Sequence, residues 1–267
     1  MSNTIKEVYD FLHSVAPFQY QESYDNAGLI VGDSAKACTG VITCLDSTEA
    51  VIDEAIATGS NLVVAHHPIV FRGLKRFNGT NYIEKAVIKA IKNDIAIIAI
   101  HTNLDNVISN GVNERIAKQL GLEEIEPLAV KKEIDQSNGP VGSGVLGFLP
   151  KEIDEMDFLQ SLKDKMKVNV IKHTNLLGNK ITKVAVCGGV GGFLLKDAIR
   201  SGAQVFITSD YKYHEFFDAN DQIVIVDIGH YESEQFTINL LQELISRNFS
   251  TFAAHCTKIN TNPVNYL

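Results

Sequence analysis

The sequence predicts an α/β protein of two interlinked three-layer domains, on three observations. From Gly40 onward, short runs of Val, Ile and Ala alternate with stretches whose apolar residues recur at helical spacing. That alternation is the pattern of mainly parallel or mixed sheets covered by helices on both faces. The chain has 267 residues, enough for two separate cores. A looser segment from Pro127 to Gly142, containing Lys131-Lys132-Glu133 and Ser137-Asn138-Gly139-Pro140, interrupts the alternation near the middle. It divides the chain into a first domain at residues 1–127, completed by the C-terminal segment 235–267, and a second at 128–234.

In order along the chain, Ile5, Val8, Phe11, Leu12 and Val15 form a helical stripe that Pro17 closes. Asp25-Asn26-Ala27-Gly28 is a turn feeding a short strand that ends at Gly32. Strands are then expected at Val41–Leu45, Leu62–Ala65 and Ile95–Ile100, with helices at Ser47–Thr58, Asn81–Asn93 and Gly111–Leu120. Ser47-Thr48-Glu49 reads as an N-cap region, and Gly59 and Gly121 stand where helices end. The second half predicts strands at Val145–Leu149, Val168–Lys172, Lys183–Cys187, Gln204–Thr208 and Ile223–Asp227. Its helices fall at Asp154–Met166, Phe193–Ser201, Tyr213–Ala219 and Glu232–Arg247, and a last strand at Ser250–Ala254 returns to a sheet edge.

Composition narrows the function classes. Hydrophobic residues make up 45% and charged residues 21%, as in ordinary globular proteins. A formal net charge of −8 gives no electrostatic footprint for nucleic acid. Cys38, Cys44, Cys187 and Cys256 form no C-x-x-C pair, and two of them sit in apolar strand runs, so buried free thiols and a reducing cytoplasm are expected. No signal peptide and no membrane-length apolar run is present, which predicts a cytoplasmic protein that binds no membrane.

The residues with chemistry fall just past strand ends: Asp46; His66 and His67; His101, Asn103 and Asp105; Asp210; and His230. Ligands of open α/β sheets bind in the crevice outside those ends. Adjacent residues of a strand point to opposite sides. One ion therefore holds both His66 and His67 only if the backbone twists there, whereas two neighbouring ions take one each. His230 precedes a helix and Glu234 lies in its first turn, four residues on, so both can face one point. Asp105 is the candidate bridging carboxylate, shared with Glu234. Imidazole and carboxylate donors together suit zinc, iron, manganese or nickel. His101, four residues before Asp105, reads as a proton-transfer group or as a residue orienting Asp105. The Gly188–Gly192 loop opens a helix and offers N–H groups to an anion, or serves as a tight connection. Asp210-Tyr211-Lys212-Tyr213-His214-Glu215 collects groups able to read a heterocycle.

Asp25-Asn26-Ala27-Gly28-Leu29, Ala65-His66-His67-Pro68, His101-Thr102-Asn103-Leu104-Asp105, Val186-Cys187-Gly188-Gly189 and Gly229-His230-Tyr231-Glu232-Ser233-Glu234 follow one another along nearly the whole chain. In this the sequence resembles the GTP cyclohydrolase I type 2 homologue family, the Nif-three-like dinuclear-metal proteins. The resemblance implies two divalent metal ions held by His66, His67, Asp105, His230 and Glu234, in a site between the two domains. It also implies a ring-shaped homohexamer, here in a short form, because only Val130–Gly142 stands where some members carry an inserted domain. Tyr24 stands where the family often has Trp. The implied activity is hydrolysis of a nucleotide or related heterocycle, opening a guanine imidazole ring with loss of formate, with His101 or His214 moving protons. A metal-dependent phosphoesterase and a metal-binding scaffold without turnover are the alternatives.

Overall fold

Two sheets organise the chain, in a computed structural model that describes residues 2–137 and 139–267. Met1 and Asn138, the latter within the expected connection, lie outside the described residues. The chain divides into two units, Met1–Leu104 with Thr237–Pro263 and Asp105–Phe236 with Val264–Leu267.

The first unit holds strands β1 (Gly28–Val31), β2 (Gly40–Cys44), β3 (Leu62–Ala65) and β4 (Ala96–Ala99), joined late in the chain by β11 (Ala253–Cys256). Their order is β1-β4-β3-β2-β11. All neighbours run parallel except β1, which is antiparallel to β4. Every residue of β2, β3 and β4 is buried, as the unbroken apolar runs predict for strands covered on both faces. Ile42, Cys44, Val63, Ala65 and Ile97 pack against Val51, Ile52 and Ala55 of helix Glu49–Thr58 and Ala86, Val87 and Ala90 of helix Tyr82–Lys92. Burying each larger aliphatic side chain contributes about 1.5–3 kcal/mol. On the other face, the Thr43 hydroxyl donates to the Ile238 carbonyl in helix Thr237–Asn248. Thr48 caps the first of these helices, and Gly59 ends it in the left-handed conformation.

The second unit holds β5 (Glu123–Val130), β6 (Gly142–Asp154), β7 (Lys172–His173), β8 (Lys180–Val190), β9 (Val205–Ser209) and β10 (Val224–Asp227), in the order β5-β6-β8-β9-β10-β7. The centre β8-β9-β10 is parallel, and both flanks are antiparallel. Leu146, Ala185, Phe206 and Ile225 form one face of its core, with Leu195 and Ala198 of helix Leu195–Ser201. Helices Val112–Leu120 and Glu155–Met166 also pack on this sheet.

Several elements differ from the sequence expectation. Residues 123–130 form an edge strand where a loose connection begins in the sequence reading. Pro127 and three exposed glutamates, Glu123, Glu124 and Glu126, hide it, both being features of sheet edges. The strand expected at 168–172 shrinks to Lys172–His173. Tyr213–Ala219 is a 3-10 helix. The long helix expected from Glu232 breaks into His230–Glu234 and Thr237–Asn248. Between them, the Gln235 side-chain amide takes the Glu232 carbonyl, an acceptor that an unbroken helix would give to a backbone N–H. Cys38, Cys44 and Cys187 are buried free thiols, and Cys256 is half-buried. Among the described residues, no helix is long and apolar enough to cross a membrane.

Candidate metal centre

In the first unit, the carboxyl ends of β2, β3 and β4 bring together Asp46, His66, His67 and His101. The β2–β3 ladder continues past the strand, with His66 N–H donating to the Cys44 carbonyl at 3.0 Å and His67 N–H to the Leu45 carbonyl at 2.9 Å. The chain bends at the two histidines and leaves the pleat. Their rings consequently share one side, with centroids 4.9 Å apart. The His101 ring lies 5.3 Å from that of His66 and 5.4 Å from that of His67. One ring nitrogen of each lies within 4.8 Å of the others, a group able to hold a metal ion.

Each ring is held by its other nitrogen. His66 Nδ1 lies 2.9 Å from the Ile100 carbonyl oxygen, which can only accept, so Nδ1 carries the proton. His67 Nδ1 meets Asp46 Oδ1 at 2.8 Å, and Asp46 Oδ2 accepts from the Thr261 hydroxyl at 2.7 Å. His101 Nδ1 meets Asp25 Oδ1 at 2.8 Å. Burial works to raise the Asp25 pKa, and it is outweighed by the bonds and charge of His101 and the bonds from Thr102 and Asn26, which bring it down to about 2. Burial likewise works to raise the Asp46 pKa, and the bond and charge of His67, with the bond from Thr261, outweigh it and leave a net lowering. Both side chains are thus carboxylates accepting an Nδ1–H, and Nε2 is the lone-pair nitrogen of all three imidazoles.

The second unit gathers Asp105, His230 and Glu234 near Gly188 and Gly189, at the bulged carboxyl end of β8. Gly229, at φ +91°, starts helix His230–Glu234. A Cβ built there would sit 2.3 Å from Glu232 Oε2, so no other residue fits this turn unchanged. His230 Nδ1 meets Asp210 Oδ2 at 2.7 Å, and His230 Nε2 lies 3.2 Å from Glu234 Oε2. Asp227, almost fully buried, accepts from the backbone N–H groups of Tyr211 and Gly229, and so ties the Asp210 turn to the His230 turn. Asn113 donates to the Asp105 carbonyl at 3.0 Å and accepts from Gly188 N–H at 2.9 Å. Burial pushes the Cys187 thiol far up, and the nearby charges of Asp105 and Glu234 push it further. That thiol stays protonated beside the two carboxylates.

Gly188 and Gly189, expected in a loop that opens a helix, lie inside β8 instead and belong to this cluster as packing. A Cβ on Gly189, at φ +62°, would sit 2.4 Å from Glu234 Oε1, so glycine is what lets Glu234 lie against the strand. Gly188 N–H is taken by Asn113 and Gly189 N–H by the Ser233 hydroxyl at 3.0 Å. Those two N–H groups are spent inside the protein rather than offered to an anion.

Sequence reasoning placed Asp46 and Asp210 among potential ligands, whereas the structure shows each engaged by a histidine Nδ1. The sequence presents Asp25 as part of a turn and of a motif shared with the resembled family, and nothing local connects it to His101. His214 stands exposed on the 3-10 helix, its ring stacked at 6.5 Å on Phe217. Taken unit by unit, the anchored imidazoles of the first and the imidazole with carboxylates of the second are donors that fit a divalent transition metal better than calcium or magnesium.

A protein of Clostridium acetobutylicum described as a GTP cyclohydrolase 1 type 2 homolog is 29% identical over 262 residues, covering 98% of this chain and 94% of that one. One of the same description from Clostridium perfringens is 32% identical over 235 residues, covering 86% of each. The crystal structure of a Staphylococcus aureus hypothetical protein superposes with a TM-score of 0.91 at 29% identity, over the full length of both chains. The Duf34/NIF3 (NGG1p interacting factor 3) model matches residues 3–263. With a match of that extent, and with His and Glu groups able to bind a metal ion, the chain belongs to the Duf34/NIF3 family.

Proposed function

We propose that the protein is a metal-dependent hydrolase of a nucleotide or related heterocycle, of the kind the relatives' description names. The ligands in this reading are His66 and His67 of the first unit and Asp105, His230 and Glu234 of the second, for two divalent ions of zinc, iron, manganese or nickel. The observation that carries it is the shared anchoring of His66, His67 and His230, each with Nδ1 on an oxygen acceptor, which makes Nε2 the nitrogen that carries the lone pair. Bound there, divalent ions supply Lewis acidity and lower the pKa of water toward 7. No serine or cysteine nucleophile is then needed.

The chain's own residues divide the remaining work. His101 Nε2 accepts a proton from the attacking water and returns it to the leaving group. His214, exposed beside Tyr213 and Phe217, stands ready to move a proton at the heterocycle. Support for a homohexamer comes from the family membership, and a monomeric mass in light scattering would remove it.

The test is a screen of the metal-loaded protein against nucleotides, reading formate and phosphate. Formate release supports ring opening, and phosphate release without formate makes the protein a phosphoesterase. Neither product, with metal removal dissociating the assembly, leaves the scaffold reading. His101→Ala is expected to keep both ions and lose about 10²–10⁴-fold in rate. Loss of an ion in that variant makes His101 a ligand instead.

A further inference from the structure

The turn at Asp25-Asn26 has no part in the chemistry above, yet it is built around His101. Asp25 Oδ1 accepts from His101 Nδ1 at 2.8 Å and from Asn26 N–H at 2.7 Å. Its Oδ2 accepts from Thr102 N–H at 3.1 Å and from the Thr102 hydroxyl at 2.5 Å. The direction of that last bond is fixed, because Thr102 Oγ1 also accepts from Glu22 N–H at 2.9 Å and so has its own proton to give. The Asp25 side chain is 0% exposed. Burying an ionised carboxylate costs several kcal/mol unless donors surround it, and here four donors fill the roughly four acceptor positions it has. Asn26 extends the bracing, its amide donating at 2.6 Å to the carbonyl of Val70, on the loop that follows His66 and His67.

We propose that Asp25 is a positioning residue that fixes the tautomer and ring plane of His101, so that Nε2 is the lone-pair nitrogen His101 presents beside His66 and His67. With its acceptor positions filled, Asp25 has no reason to take the proton. It stays ionised while His101 Nε2 gains a proton from water, steadies the resulting imidazolium through Oδ1, and leaves that proton on Nε2 to be passed to the leaving group. The effect on turnover rests on the hydrolase reading, whereas the tautomer is a property of the folded chain.

The experiment uses the zinc-loaded full chain labelled with ¹⁵N-histidine, and long-range ¹H–¹⁵N correlation to read the protonated nitrogen of His101. Wild-type protein is expected to show Nδ1–H; Nε2–H there overturns the proposal with no variant required. In Asp25→Asn, an amide that can donate to Nδ1 is expected to shift His101 toward Nε2–H, with zinc content unchanged and any turnover found in the screen reduced about 10–100-fold. A folded Asp25→Asn protein whose His101 keeps Nδ1–H and its chemical shifts overturns the proposal. So does loss of zinc from that variant, because Asp25 would then act on metal retention. If the variant does not fold, the wild-type spectrum alone decides. A screen without turnover sinks the hydrolase reading and leaves the tautomer result standing, so the two failures are distinguishable.

Discussion

A histidine acts as a directed metal donor when its second nitrogen is already committed, and this chain commits that nitrogen in four places. Asp210 does so for His230 at 2.7 Å. Asp210→Asn keeps the size and loses the charge, so His230 is expected to hold its ring less firmly and to be less basic. Metal affinity should fall about 10–100-fold, measured by titrating zinc into chelator-stripped protein; unchanged affinity would show that Asp210 is a surface partner only. Gly189→Ala probes the opposite side of Glu234. The added Cβ falls 2.4 Å from Glu234 Oε1 at a φ of +62°, and the left-handed backbone alone costs about 1–2 kcal/mol for a non-glycine residue. Both a lower melting temperature and a reduced metal content are expected, and full occupancy by elemental analysis would contradict the packing role assigned to this glycine. The ligand candidates were legible in the sequence because a histidine doublet and a His-x-x-x-Glu pair each announce themselves locally. The Asp25–His101 partnership was not, since it joins residues 76 positions apart through a turn whose own residues suggest nothing beyond a turn.

At the scale of elements, the parallel strands of the first unit were readable for a physical reason. Strands buried on both faces must be apolar throughout, and Leu62–Ala65 and Ala96–Ala99 are. Edge elements lack that constraint. Glu123–Val130 carries Pro127 and exposed glutamates, and Lys172–His173 pairs over two residues only. Neither leaves a periodic signal. A buried polar link shows how one helix is tied to the proposed metal ligands. Asn113, at 1% exposure, joins helix Val112–Leu120 to the Asp105 carbonyl and Gly188 N–H. In Asn113→Ala both partners lose their bond, at about 1–3 kcal/mol for each group left unsatisfied. The helix-propensity gain of alanine is at most about 0.7 kcal/mol and does not offset this. Urea denaturation should therefore show a clear net loss of stability, and a midpoint unchanged from wild type would mean that water replaces the amide at no cost.

For the whole molecule, the proposed ligands are divided between Met1–Leu104 with Thr237–Pro263, which carries His66 and His67, and Asp105–Phe236 with Val264–Leu267, which carries Asp105, His230 and Glu234. A ligand that binds only the folded state stabilises it in proportion to the logarithm of its excess over Kd, about 4 kcal/mol at a thousandfold excess. For chains of this size, each kcal/mol moves the melting temperature by roughly 2–4 °C. Saturating zinc, added to chelator-stripped protein, should then raise the transition by on the order of 10 °C. His66→Ala and Glu234→Ala each remove a proposed ligand and should each reduce that shift, read by differential scanning calorimetry against zinc concentration. A variant that keeps the full wild-type rise with zinc loses its place among the ligands.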